Sequence, residues 1–324
     1  MRFLDGRRVL LVAIFAMLIA ALAALPAAGR PPGTNGRIVF GRFDPNLGDT
    51  VFYTINPDGT HEEQVLPETL ECPHWSPDGT RISTCGADET GSSRIINPDD
   101  HTYRIVPNPD PEHLFLPCFV WSRDGTRLAC EGFGLTDDSL NGIYTVRSSD
   151  GGGLVRVTST PGGDDIPGDS SPDGNRLVFN RGSLDALFVV NTNGTGLKEI
   201  TPTRMHLSSD GDWSPQGNEI IFSRHVTPNA RSTIWVVHSN GTGLHQISVQ
   251  AQPACGGPIP DPTSLGCFGP RWSPDGTKII FSRGTSGDFD ANIYTANADG
   301  SGLTQVTHGG RDQNPDWGIH PLVS

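Results

Sequence analysis

Beyond its first residues the sequence has no basic cluster: Lys and Arg together number 23 against 36 Asp and Glu, a formal net charge of −13. Neutralising a phosphate backbone takes a concentrated Lys/Arg surface, so the expectation is no nucleic-acid partner. Anionic membrane surfaces are disfavoured on the same ground. After residue 25 no second long apolar run follows, so no membrane span is expected in the mature chain. Nowhere do apolar residues recur with the helical period. The sequence also lacks a G-x-S-x-G nucleophile elbow, a G-x-x-x-x-G-K-[ST] phosphate loop, an H-E-x-x-H zinc helix and any C-x-x-C pair. These absences remove the common routes to serine hydrolysis, nucleotide binding and a zinc site.

The N-terminus carries Arg2, Arg7 and Arg8, then the apolar run Val9–Leu25 and the small residues Ala27, Ala28 and Gly29. That layout predicts a secretory signal over residues 1–28, with an uncleaved anchor as the alternative. No cysteine follows the apolar run, which argues against a lipoprotein anchor. The expected protein is exported: periplasmic, cell-envelope or secreted. Gly and Pro make up 67 of the 324 residues, but they sit at regular turn positions between apolar runs, which speaks for turns and against disorder.

The turns belong to a repeat. Its clearest copies read HWSPDGTRI (His74–Ile82), VWSRDGTRL (Val120–Leu128), DWSPQGNEI (Asp212–Ile220) and RWSPDGTKI (Arg271–Ile279). A fifth copy spans Asp169–Leu177 and has Ser170 where the others carry Trp, followed by Ser171-Pro-Asp-Gly174. Asp satisfies turn amides and Gly accepts positive φ, so each copy is a hairpin leading into an apolar strand. A second hairpin follows each, as in ALFVVNTNGTGLKEIT (Ala186–Thr201), TIWVVHSNGTGLHQIS (Thr233–Ser248) and NIYTANADGSGLTQVT (Asn292–Thr307). Four strands per unit at a period of roughly forty to sixty residues predict propeller blades.

The Trp position falls at 75, 121, 170 (as Ser), 213, 272 and 317. Residues 35–40 match a second strand with no first strand before it, and Trp317 ends a first strand with nothing after it. The fold predicted is therefore all-β: a six-bladed β-propeller of four-stranded antiparallel blades over residues 34–324, its ring closed by the C-terminal strand joining the N-terminal blade.

These residues resemble the WD40-like repeat of TolB-type propellers, whose pattern is P-x-W-S-P-D-G, an apolar strand, then I-Y-x-x-[ND]-x-D-G-[ST]-G-L-x-x-[IVL]-T. The resemblance covers essentially everything after the N-terminal segment. It implies a six-bladed propeller and, by analogy with TolB, periplasmic protein binding. TolB carries an α/β domain ahead of its propeller and related peptidases append a hydrolase domain. Here the repeats begin almost directly after the apolar run, so neither function carries over by itself.

By strand order the Pro-Asp-Gly and Asn-Gly turns share one face, and the loops after the second and fourth strands share the other. The second face varies, and variable loops on a rigid scaffold are where function is expected. Arg42, Arg181, Arg224 and Arg283 close the second strand in one register, with Gly86 and Gly132 in the remaining blades. A partial Arg ring suits carboxylate or phosphate. The alternative, and the favoured reading, is pairing with loop carboxylates such as Asp44, Asp49, Asp185, Asp288 and Asp290. His113, His206, His225 and His308 fall on variable-face loops and offer metal ligands only if the fold converges them; solvated histidines are the plainer reading. Asp137/Asp138, Asp164/Asp165 and the stretch from Asp288 to Asn292 suit calcium by residue type, without an EF-hand pattern, so no cofactor is predicted. The sequons at Asn193 and Asn240 lie in the repeated turn, which accounts for them without sugar.

Six cysteines form near-neighbour pairs, Cys72/Cys85, Cys118/Cys130 and Cys255/Cys267, and an exported chain favours disulfides over zinc; the local pairing is one of fifteen connectivities. Cys85 lies ten residues after its Trp and Cys130 nine after, so two bridges imply a bulge in one hairpin. Two functions follow. The first is a non-catalytic binding or scaffold protein, monomeric, with an envelope or extracellular protein partner held by variable-face loops such as Gln250–Pro270. The second is a propeller enzyme, a metal-dependent lyase or a hydrolase on glycans or peptides, with its site at the variable-face mouth of the channel.

Overall fold

The computed structural model describes residues 33–86, 88–259, 261, 263–285 and 290–324. The expected signal at 1–28 lies outside the described residues, as does Asp288 of the acidic stretch. Six antiparallel sheets are present, one per blade. From the channel outward, blade 1 consists of Asp312–Trp317, Ile38–Asp44, Asp49–Ile55 and Glu63–Gln64. Blade 2 consists of Glu71–Trp75, Ile82–Cys85, Ser93–Ile96 and Tyr103–Val106. In blade 3 the innermost strand comes in two pieces, Leu114–Phe115 and Cys118–Trp121, both on Arg127–Gly134, followed by Gly142–Arg147 and Val155–Arg156. Blades 4, 5 and 6 begin with Asp165–Ser170, Asp212–Trp213 and Gly266–Trp272 and each continue outward through three further strands. Among the described residues the one helix is a single 3₁₀ turn, Asp138–Leu140. No helix among them is long and apolar enough to cross a membrane.

The ring closes where the repeat predicts. The last strand pairs with the first, Ile38 opposite Trp317 and Arg42 opposite Asp312. Trp317 Nε1 donates to the Gly36 carbonyl at 2.9 Å, and the following tail stacks His320 on Trp75 in blade 2. Two sheet edges that would otherwise stay open are thereby paired.

The repeated hairpin explains itself locally. In blade 2, Ser76 Oγ donates to Asp78 and accepts from the Arg81 amide, while Asp78 also accepts from the Thr80 amide. The same net recurs at Ser122/Asp124, Ser171/Asp173 and Ser273/Asp275. Gly79 adopts φ +71°, which lets the chain reverse within that net. Apolar side chains of the second and third strands fill the space between blades. Phe40, Phe179, Phe222 and Phe281 are wholly buried there, each contributing on the order of 2 kcal/mol of burial.

All three local disulfides are present: Cys72–Cys85, Cys118–Cys130 and Cys255–Cys267. The anticipated irregularity is wider than expected, for both cysteine hairpins are shifted in register, between Glu71 and His74 and opposite Ala129/Cys130. Blades 1, 4 and 6 carry the same defect. Outside blade 3 each shift falls at an innermost-strand proline, Pro73, Pro167, Pro270 or Pro315, which has no amide for the ladder. The residue before three of these prolines, Cys72, Gly269 or Asn314, sits at positive φ.

Candidate binding site at the channel mouth

The bulges determine what the channel presents. Directly after Pro73, Pro270 and Pro315 come His74, Arg271 and Asp316, and Asp169 and Asp212 occupy the same position, one before the Trp register, in blades 4 and 5. Only blade 3 has an apolar residue there, Val120. Three of the aspartates latch one blade to the next: Asp316 accepts from the Trp75 amide (2.6 Å), Asp169 from Trp213 (3.0 Å) and Asp212 from Trp272 (2.7 Å). Arg271 is the cation at the centre. It donates to the Gly168 carbonyl at 3.2 Å and to Asp212 at 3.3 Å, and its Nη2 lies 3.4 Å from His74 Nε2.

The ring of blades withholds water from these groups, although the channel leaves the Arg271 and Asp212 side chains 18% and 13% exposed. Burial pushes Asp212 well above the usual carboxylate range, and neighbouring Asp169 adds to it. Asp169 is raised to about 6 by burial, which Arg271 offsets only in part. For Arg271 burial works against the charge, but Asp212, Asp316, Asp169 and Asp210 outweigh it and the guanidinium is held more firmly protonated. Burial and the adjacent guanidinium hold His74 well below the imidazole range, so it is neutral and its Nε2 can accept from Arg271.

Above this ring, at the variable-face ends of the innermost strands, lies a cavity of about 400 Å³. Glu71 and His74 of blade 2, Glu131 and Phe133 of blade 3, Ser208–Gly211 before blade 5, Phe268–Arg271 of blade 6 and Asn314 of blade 1 line it. Phe115 and Phe119 complete an aromatic wall. Glu131 is raised to about 8, first by burial and then by the charges of Asp210, Asp164 and Asp165. Asp210 is raised to about 6 by burial, opposed by Arg271 and a hydrogen bond from Asn180.

The arginines singled out from the sequence do not gather at this mouth. Arg42 binds Asp312 (2.6 Å) and Glu62 (2.5 Å), and Arg181 grips Asp165 through two bonds of 2.7 and 2.8 Å. Asp312 and Asp165 lie directly opposite them on the first strand, so the carboxylates bonded to Arg42 and Arg181 come from the sheet and from Glu62, while the expected loop carboxylate Asp185 acts by charge on Arg224. Arg224 bonds the His225 and Val226 carbonyls and Arg283 bonds the Pro253 carbonyl (2.6 Å). All four lie over aromatic rings, at 4.8 Å for Arg42 on Tyr53 and 5.0 Å for both Arg181 on Phe188 and Arg224 on Trp235.

The histidines lie apart. His113 Nδ1 donates to Asp110 at 2.7 Å, which raises its pKa; His206 lies 3.7 Å from Asp185; His225 donates to the Ala230 carbonyl; His308 is exposed. Among the described residues no three His, Cys, Asp or Glu side chains are grouped to hold a metal ion. Asp137 caps the 3₁₀ turn, and Asn193 and Asn240 bond Thr195 and Thr242 within their turns.

No protein-family model matches the sequence, and no curated protein is significantly similar to it. Solved structures are similar in fold. TolB from Acinetobacter baumannii superposes with a TM-score of 0.68 at 17% identity, over 93% of this chain and 69% of that one. The fold is a TolB-like propeller. A putative TolB from Agrobacterium tumefaciens gives 0.64 at 19% identity, over 87% of this chain and 92% of its own. An oligogalacturonate lyase in complex with manganese gives 0.53 at 13% identity, over 84% and 74%. Identities this low speak to the TolB-like architecture alone.

The channel residues were missed from the sequence although they were in plain view. His74, Val120, Asp169, Asp212, Arg271 and Asp316 stand one before the Trp register of the repeat, and theirs is the position of the hairpin whose chemistry varies most, from cation through imidazole and apolar to carboxylate. That change is the signal that finds them.

Proposed function

We propose that the chain is an exported, non-catalytic binding protein whose partner is an envelope or extracellular protein docking over the variable-face channel mouth. The observation that carries this reading is the mouth pocket itself. Its polar and aromatic groups sit on the innermost strands of blades 1, 2, 3 and 6, on the second strand of blade 3 and on the segment before blade 5. The inter-blade latches hold that ring, so a partner meets a preformed concave surface. The three disulfides accord with an oxidising compartment. The test is crosslinking in the intact envelope followed by purification of the propeller. A specific partner is expected, lost when residues 258–264 are replaced by a shorter Gly-Ser linker. Recovery of no specific partner refutes the reading.

One observation favours an enzyme instead. Glu131, raised to about 8 beside charged aspartates, keeps its proton at neutral pH, as a general acid must. On this second reading the protein acts on glycans or peptides. Turnover of an oligosaccharide or peptide panel that disappears in Glu131→Gln would establish it, and retention of that turnover in His206→Ala and His308→Ala would remove its metal-histidine form.

A further inference from the structure

The mouth cavity combines two features that together select a ligand class. Glu71, Glu131 and Asp210 place three carboxylates around it, and Asp169, Asp212 and Asp316 lie below. Among the cavity's lining residues the one guanidinium is Arg271, already engaged with Asp212, Gly168 and His74, while Arg123 acts by charge on Asp169 below. The wall between the carboxylates is aromatic, with Phe115, Phe119, Phe133 and Phe268. A cation with a flat or apolar body suits such a space: carboxylates bind the charge and phenyl faces bind the stem. A bare metal ion suits it less, since calcium needs six to eight oxygens within about 2.6 Å and no three such side chains are grouped for it among the described residues.

We propose that the channel mouth captures a basic side chain, an arginine presented by an exposed segment of the partner protein, with Glu131 and Asp210 as the residues that receive the guanidinium. This rests on the binding-protein reading and names the chemistry of its partner. The cavity of about 400 Å³ holds one side chain and a short piece of backbone, and leaves the rest of the partner on the variable-face loops. The direction of the carboxylate shifts agrees. In the empty mouth Glu131 keeps its proton up to about pH 8, and Asp210 up to about 6. An entering guanidinium stabilises both charged forms and expels the Glu131 proton, so capture at neutral pH releases protons and tightens as pH rises. The charged and titratable groups facing Glu131 and Asp210 are Glu71, His74, Asp164, Asp165 and Arg271.

The experiment titrates the full protein by calorimetry with blocked Gly-Arg-Gly peptide, with the same peptide carrying neutral citrulline, and with calcium chloride. The expected result is that the arginine peptide binds at least about tenfold tighter than the citrulline peptide. Its affinity should rise about tenfold between pH 5.5 and 8.5, and two buffers of different ionisation enthalpy should report proton release at pH 7. Glu131→Gln and Asp210→Asn, near-isosteric changes, should each weaken the arginine peptide about tenfold and leave the citrulline peptide unchanged. Equal binding of the two peptides, or calcium binding with no arginine binding, overturns the proposal on the unaltered protein whatever the variants do. If crosslinking captures a partner equally well with the Glu131→Gln/Asp210→Asn double variant, the binding-protein reading stands and this inference falls. If the arginine peptide binds as expected but no envelope partner exists, the reverse holds.

Discussion

Arg271 of blade 6 reaches His74 of blade 2, Nη2 to Nε2 at 3.4 Å, past the blade between them, while its Nη1 bonds the Gly168 carbonyl of blade 4. With its bond to Asp212 of blade 5, one side chain thus ties four of six blades across the channel. It is also the cation that makes the burial of Asp169, Asp212 and Asp316 tolerable. Removing one partner from such a network leaves its charges uncompensated, a loss on the order of 3–5 kcal/mol. Arg271→Met should therefore lower the denaturant midpoint sharply at pH 8. The sign with pH follows from the remaining carboxylates. Their folded pKa values already exceed the unfolded ones and rise further without the guanidinium, so the folded state binds more protons and gains stability as pH falls. Urea titrations at pH 5 and pH 8 should show a much smaller deficit at the lower pH; an equal deficit at both would refute this account.

Glu131 works in the same direction within the intact protein. Its folded pKa of about 8 exceeds the ordinary 4.5 of an unfolded glutamate, so the folded form holds the extra proton between those values. Stability attributable to this group is present below pH 4.5 and is lost as pH rises through 8. Glu131→Gln should be neutral near pH 4.5 and stabilising, by on the order of 2 kcal/mol, at pH 9. Thermal melts across that range read the crossover directly.

How far the sequence could be read depends on whether a feature repeats. The Trp-Ser-Pro-Asp-Gly hairpin recurs, so blade number and the pairing of Trp317 with Ile38 followed from periodicity. Arg42 and Arg181 also recur, and their register was legible. Their carboxylate partners, Asp312 and Asp165, were not, because a cross-strand neighbour is set by hairpin register, and each of these hairpins carries a bulge. The channel site was harder still. It is assembled from single residues at one position in six hairpins, and its character arises from summing Arg271, His74 and the aspartates across the ring. No window of sequence contains that sum.

Ring closure offers a third expectation. Trp317 is buried, packs with Ile38, Phe40 and Ile280, and bonds Gly36 through its indole nitrogen. Trp317→Ala removes a large side chain and strands the Gly36 carbonyl, a change of about 3–5 kcal/mol. Because it opens the seam between the two chain ends, hydrogen exchange should rise first along residues 36–42 and 312–317, ahead of blades 3 to 5. The exposed Leu184, replaced by Ser, should leave exchange unchanged.

The disulfides act at a different level, because each closes a short loop in the unfolded chain. The separations are 13, 12 and 12 residues, and in the chain-entropy account a loop of that length is worth about 3 kcal/mol when its bridge is intact. The described residues contain no free cysteine, so thiol titration of protein unfolded without reductant should find none. Cys255–Cys267 clamps the long loop leading into the blade 6 strand that carries Phe268 and Arg271, whereas Cys118–Cys130 joins two neighbouring strands whose ladder already sets Cys118 opposite Cys130. A Cys255→Ser/Cys267→Ser variant should consequently lose more of the variable-face binding than Cys118→Ser/Cys130→Ser at matched thermal stability. Crosslinking yield and melting temperature measured on the same two variants separate the positioning of that loop from general destabilisation, and equal binding losses would show that the loop clamp does nothing for the mouth.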